Sequence, residues 1–132
     1  MPATILIVDD DDDLRNSLAI ILRPDYEVIE ASSGAEALAL IKKESPRLTL
    51  LDVSMPGIGG LEVLAAARAA VPALIVVMLT SQHDIEIAAK ALNLGAVEYV
   101  TKPFDADYIR AEVSRLVRPV KSADDKPWKV AP

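Results

Sequence analysis

Short apolar runs alternate with amphipathic stretches five times along the chain. The runs Thr4–Val8, Tyr26–Glu30, Leu48–Leu51, Leu74–Leu79 and Glu98–Val100 are of strand length and each predicts a strand. Between them apolar residues return at helical spacing. Leu14, Leu18, Ile21 and Leu22 form one stripe, Ile85, Ala88, Ala89 and Leu92 another, and Ile109, Val113, Leu116 and Val117 a third. Less sharply patterned helices are expected over Ala35–Lys43 and Leu61–Ala70. Asp11 or Asp12, Asp84 and Asp105 stand where the first, fourth and fifth helices need N-caps. Near-continuous apolar strands imply burial on both faces, so the alternation predicts an α/β fold: a (βα)5 doubly wound, five-stranded parallel sheet.

The composition narrows the class. At 132 residues, 52% hydrophobic, the chain suits one domain with a full core. One Trp, three Tyr and one Phe leave that core aliphatic. The absence of cysteine excludes disulfides and thiolate metal ligands. A net charge of −6 and no basic run argue against direct nucleic-acid binding. The longest aliphatic run, Leu74–Leu79, falls far short of a membrane span, and no basic segment precedes the first apolar run. A cytoplasmic protein without a membrane segment is the expectation. Residues 1–118 read as the domain. The proline-interrupted 119–132, with Trp128, reads as a flexible tail or linker.

The polar residues that end the apolar runs carry the chemistry. Asp9 and Asp10 end the first, Asp52 the third, Thr80 the fourth and Lys102-Pro103 the fifth. In an open parallel sheet these ends share one edge, where ligands bind. Clustered carboxylates stay ionised only beside a compensating cation, and Mg²⁺ takes one or two of them while keeping waters that a phosphate can replace. Without Cys or a Ser-His pair, a carboxylate is the best nucleophile. Helix capping would explain some of Asp11, Asp12 and Asp13, but not Asp52, Thr80 and Lys102 on three other runs. His83, the sole histidine, reads as solvated. No Gly-Lys-Ser/Thr exists, and Glu62 stands where a dinucleotide fingerprint starting at Gly57 needs its third glycine.

The ordered set Ile5-Leu6-Ile7-Val8-Asp9-Asp10, Leu50-Leu51-Asp52-Val53-Ser54-Met55-Pro56-Gly57, Leu79-Thr80-Ser81, Gly95-Ala96 and Tyr99-Val100-Thr101-Lys102-Pro103-Phe104 resembles the receiver domain of bacterial two-component response regulators. The resemblance covers residues 4 to about 118. It implies a flavodoxin-like sheet of strand order 2-1-3-4-5, and a signalling domain that is phosphorylated, not an enzyme acting on a separate substrate. Asp52 matches the phosphoacceptor, charged by a sensor histidine kinase or histidine phosphotransfer protein. Asp10, Asp52 and the Ser54 backbone carbonyl would ligate Mg²⁺, with Asp9 acting through a water. Thr80 matches the switch hydroxyl, Lys102 the phosphate-contacting lysine and Tyr99 the switch aromatic. The peptide before Pro103 would be cis. Ser54 and Gln82 match the positions that tune phosphoryl lifetime. Val97, Tyr108 and Glu112 depart from the charge pattern of the subgroup that dimerises through ion pairs.

Two other functions compete. A haloacid-dehalogenase-like phosphatase also uses a strand-end Asp with Mg²⁺, but Asp13 breaks its nucleophile motif. A non-phosphorylated interaction module on the same fold would not need Asp10, Asp52, Thr80 and Lys102 together. For output, the expected surface is the face of the fourth helix, fifth strand and fifth helix. Taking Ile85, Ala88, Ala89 and Leu92 as the core stripe puts Ile87, Ala91 and Leu94 on the outside, ready for an output domain or partner.

Overall fold

The computed structural model describes residues 2–53, 55, 59–81 and 85–118. Five β-α units follow in order: β1 (Thr4–Val8), α1 (Asp12–Leu22), β2 (Glu27–Ala31), α2 (Gly34–Glu44), β3 (Leu48–Asp52), α3 (Gly60–Ala70), β4 (Ile75–Thr80), α4 (Ile85–Asn93), β5 (Glu98–Thr101) and α5 (Ala106–Val117). All ladders are parallel and the strand order is β2-β1-β3-β4-β5. Side chains alternate across each strand, so one sheet face takes Leu6, Val8, Leu51, Val76 and Met78 under α2, α3 and α4. The other takes Ile5, Ile7, Leu50, Val77, Leu79 and Val100 under α1 and α5. The doubly wound α/β architecture expected of the sequence is present.

Boundaries differ from the apolar runs for local reasons. Tyr26 N–H bonds the Leu22 carbonyl and Leu74 N–H the Val71 carbonyl, so both residues complete turns and their strands begin one position later. At the other ends the ladders run into polar residues, pairing Asp52 with Leu79 and Thr80 with Thr101. Asp11 caps α1 by accepting from the Asp13 and Leu14 amides, and Asp105 caps α5 through the Tyr108 amide. Asp84 lies outside the described residues.

The fourth helix is turned opposite to the sequence expectation. Ala91 is fully buried and Ile87 packs against the core, whereas Ala89 and Leu92 face solvent. The face of Ile87 and Ala91 is therefore not an output surface; Leu94, at the helix end, is exposed as expected. Both stripes are apolar, so periodicity alone does not choose between them. The small Ala91 lets the helix approach the sheet closely, and bulk is placed outward. Gly95 stops the helix at φ 111°, with the Ala96 amide returning to the Ala91 carbonyl at 3.0 Å. The side chains of Ile85 and Ala88 are outside the described set.

Among the described residues, Thr49 Oγ1 on β3 is buried in the core without a hydrogen-bond partner. Replacing the hydroxyl by an isosteric methyl removes an unmet desolvation cost. Thr49→Val is expected to stabilise the fold by about 1 kcal/mol, read as a higher denaturant midpoint at unchanged m-value.

Candidate functional site

Parallel pairing brings the carboxyl ends of the strands to one edge. Val8 is in register with Leu51, so Asp9, the next residue, is brought beside Asp52 at the end of β3. Asp9, Asp10 and Asp52 each offer a carboxylate oxygen, and these atoms lie within 4.8 Å of one another. Asp9 is 1% exposed and Asp52 5%, while Asp10 faces solvent. Lys102, just beyond β5, reaches into this group: its Nζ is 3.3 Å from Asp9 Oδ2 and 3.3 Å from Asp52 Oδ1.

The electrostatics follow from that placement. Burial alone would lower the Lys102 pKa, but the charges of Asp52 and then Asp9, with hydrogen bonds to both, outweigh it and hold the ammonium above its ordinary value. Charges about 4 Å apart interact by about 4 kcal/mol at an effective dielectric near 20, so one ammonium offsets the mutual repulsion of two buried carboxylates. The third carboxylate, Asp10, is left over. Its formal charge, with the one that Lys102 does not neutralise on the buried pair, suits a divalent cation. The donors are all hard oxygens, the set Mg²⁺ takes.

The five consecutive acids divide their work. Asp9 Oδ1 accepts the Asp11 amide at 3.0 Å, Asp11 caps α1, and Asp12 pairs with Arg15 Nη2 at 2.6 Å. Arg15 Nη1 also bonds the Asp9 backbone carbonyl at 2.7 Å, and its Nε bonds Glu30 of β2 at 3.2 Å. Sequence reasoning passed over Arg15; a lone cation beside an acidic run was its signal. Gly60 was passed over as well. A Cβ there would sit 2.5 Å from the Asp52 carbonyl oxygen and 2.8 Å from Val53 Cα, so only glycine lets α3 start against the strand end that carries Asp52.

Thr80 is buried at the end of β4, and its hydroxyl donates to the Ser81 carbonyl at 3.0 Å. Tyr99 is half-buried against the α2–α4 side of the core. The Lys102–Pro103 peptide is cis, as the resemblance implied. Ser54, Gln82 and His83 lie outside the described residues, as does the 119–132 segment with Trp128.

On the α5 side, Glu98 of β5 and Glu112 both bond one nitrogen, Arg115 Nη2, at 2.7 and 2.6 Å. Glu98 Oε1 is buried with no hydrogen-bond partner among the described residues. Burial, reinforced by Glu112 and only partly offset by Arg115, raises the Glu98 carboxyl to about 7. Glu112 moves the other way, chiefly through its bond to Arg115.

A buried strand-end carboxylate held by a lysine, on a 2-1-3-4-5 parallel sheet, is an arrangement that fits a signalling receiver domain. The chain belongs to the response regulator receiver domain family, whose model matches residues 5–114. Among curated proteins it is 34% identical to Sporulation initiation phosphotransferase F of Bacillus subtilis over 123 residues, 92% of this chain and 98% of that one. Among solved structures it resembles the receiver domain of NtrX from Brucella abortus, at 36% identity and TM-score 0.82 over 86% of this chain and 97% of that one. It also resembles a CheY-like receiver domain protein from Methanospirillum hungatei JF-1, at 32% identity and TM-score 0.85 over 89% of this chain and 94% of that one. The chain spans about half or less of several other curated relatives. Nothing in these likenesses supports the phosphatase or the non-phosphorylated module.

Two outcomes follow from this geometry. Gly60→Ala forces the Asp52–Val53 backbone to move and is expected to cost roughly 1–3 kcal/mol of stability, measured by denaturant unfolding. The Glu98 carboxyl, raised when folded, contributes stability that is complete below the ordinary carboxyl value and is lost as pH rises through about 7. Melting temperatures taken from pH 4.5 to 8 should show this decline in the parent and a shallower one in Glu98→Gln.

Proposed function

We propose that Asp52 accepts a phosphoryl group from the phosphohistidine of a sensor kinase or histidine phosphotransfer protein. The observation that carries this reading is Lys102 Nζ seated between Asp9 and Asp52, with Asp10 beside them. Asp10, Asp52 and the Ser54 carbonyl would hold Mg²⁺ and Asp9 would bind it through a water, the metal supplying charge neutralisation at the phosphoryl oxygens. An Asp52 carboxylate oxygen attacks phosphorus and the P–O bond forms as the P–N bond breaks; the bonding pair stays on the ring nitrogen, and the phosphohistidine ring, protonated on its other nitrogen, leaves as neutral imidazole. Lys102 is placed to neutralise charge on the transferred group. Thr80 would give up its bond to Ser81 to donate to a phosphoryl oxygen, and the half-buried Tyr99 would move with it.

The output reading keeps the face of α4, β5 and α5 and, of the residues first assigned to it, Leu94 alone. Ala89 and Leu92 are exposed on α4, Leu94 and Val97 in the turn between α4 and β5, and Tyr108 on α5. An output domain or a separate partner would contact this apolar surface when phosphorylation shifts it between two arrangements. No helix among the described residues is long and apolar enough to cross a membrane. A kinase that draws on ATP works in the cytoplasm, and this reading places the domain there.

An amide cannot form an acyl phosphate. Asp52→Asn is therefore expected to abolish base-labile labelling by a small phosphodonor such as acetyl phosphate in the presence of Mg²⁺. Labelling of the variant equal to that of the parent would place the acceptor elsewhere.

A further inference from the structure

Arg15, in the first turn of α1, spends its three side-chain nitrogens on three different residues. Nη1 donates to the Asp9 carbonyl at 2.7 Å, Nη2 to Asp12 at 2.6 Å and Nε to Glu30 on β2 at 3.2 Å. The side chain is only 14% exposed. Glu30 is anchored in turn, its second oxygen accepting from Arg23 Nη2 at 3.0 Å.

The consequence lies in the peptide that Arg15 grips. The Asp9 carbonyl and the Asp10 amide belong to one planar unit, so a bond to that carbonyl sets the plane from which Asp10 departs. The preceding peptide is held as well, the Asp9 N–H reaching the Ala31 carbonyl at 3.2 Å. Asp9's own carboxylate is fixed by the Asp11 amide and Lys102. Asp10 has no such restraint: among the described residues its exposed carboxylate makes no hydrogen bond or ion pair. Its aim toward Asp9 and Asp52 is set through its backbone, and Arg15 is the side chain that holds that backbone.

We infer that Arg15 is a positioning residue for divalent-cation binding, orienting Asp10 through the Asp9–Asp10 peptide. The inference rests on the reading of Asp10 and Asp52 as Mg²⁺ ligands. A bare ion-pair role for Arg15 does not account for the geometry, because the pair with exposed Asp12 contributes little by itself, whereas the bond to the Asp9 carbonyl is made by a largely buried fork.

Charge and geometry make opposite predictions, which gives a test by sign. Removing a nearby cation should tighten Mg²⁺ binding if Arg15 acts only through its field. Removing the group that aims a ligand should weaken it, by about tenfold for a supporting hydrogen bond of this kind. Calorimetric titration of the full chain with MgCl₂ at fixed ionic strength, alongside melting in EDTA, separates the cases. Arg15→Gln is expected to weaken Mg²⁺ about tenfold. Arg15→Lys, which keeps the charge and loses the fork, should weaken it comparably. Arg15→Lys also carries the test should the Gln variant not fold. Metal-free melting should change far less than the affinity. Mg²⁺ binding by the variants that equals or exceeds that of the parent overturns the role of Arg15 while leaving the metal site standing. A parent that binds no Mg²⁺ overturns the metal site and this inference with it.

Discussion

The Lys102 ammonium between two buried carboxylates is the constraint on which the rest of the domain turns. Its partners lie 93 and 50 residues away in sequence, so the contact exists only once the central strands are paired in register. Asp9 and Asp52 are like charges in a place nearly closed to water, and the ammonium between them offsets their repulsion. The aliphatic strands behind them supply the dry, rigid platform. They also explain why the charges gather at one edge: the interiors of β1, β3 and β4 hold no charged side chain, so the charges sit where the chain leaves the sheet.

The order of the five units, the layer arrangement and the edge that carries the site could be read from the sequence because each rests on a local signal. Apolar runs of strand length mark the strands, and the polar residues that end the first, third, fourth and fifth runs mark the candidate site. The rest depends on contacts between elements. Tyr26 and Leu74 look like strand residues and are instead used in turns, which only their bonds to Leu22 and Val71 reveal. The choice of face on α4 is of the same kind. Ile87 and Ala91 oppose Ala89 and Leu92 around a helix apolar on both sides, and the decision falls to the fit of a small residue against β4 and β5. Gly60 and Arg15 escaped for a related reason. A glycine in a Gly-rich loop and an arginine after five aspartates look generic until the Asp52 and Asp9 backbones are seen beside them.

The acidic run from Asp9 to Asp13 shows how one composition serves several physical ends. Asp11 satisfies amides that the start of any helix leaves open, Asp12 helps hold Arg15, and Asp9 is fixed by an amide and by Lys102. Asp13 stays exposed in the first turn of α1, and Asp10, likewise without a side-chain partner among the described residues, is the one that faces Asp9 and Asp52. A looser acidic cluster would repel itself into solvent. Here Asp9, Asp11 and Asp12 each have a partner that holds them in place, and the carboxylate that faces Asp9 and Asp52 is oriented through its backbone.

Communication between the site and the α5 surface has a short physical route through β5. At one end, the Lys102 amide bonds the Thr80 carbonyl at 2.7 Å, tying the site lysine to the proposed switch residue through the backbone. At the other end, Glu98 is held to α5 by Arg115, with Glu112 on the same guanidinium nitrogen. Tyr99 lies between, in register with Met78 of β4. The strand has only four residues and is an edge of the sheet, so fewer neighbours oppose its displacement than oppose movement of β1 or β3. A pull on Thr80 therefore acts on an element anchored to the site at one end and to the outer helix at the other. That makes β5, more than any helix, the part whose position the proposed phosphorylation site and the proposed partner surface can both bias.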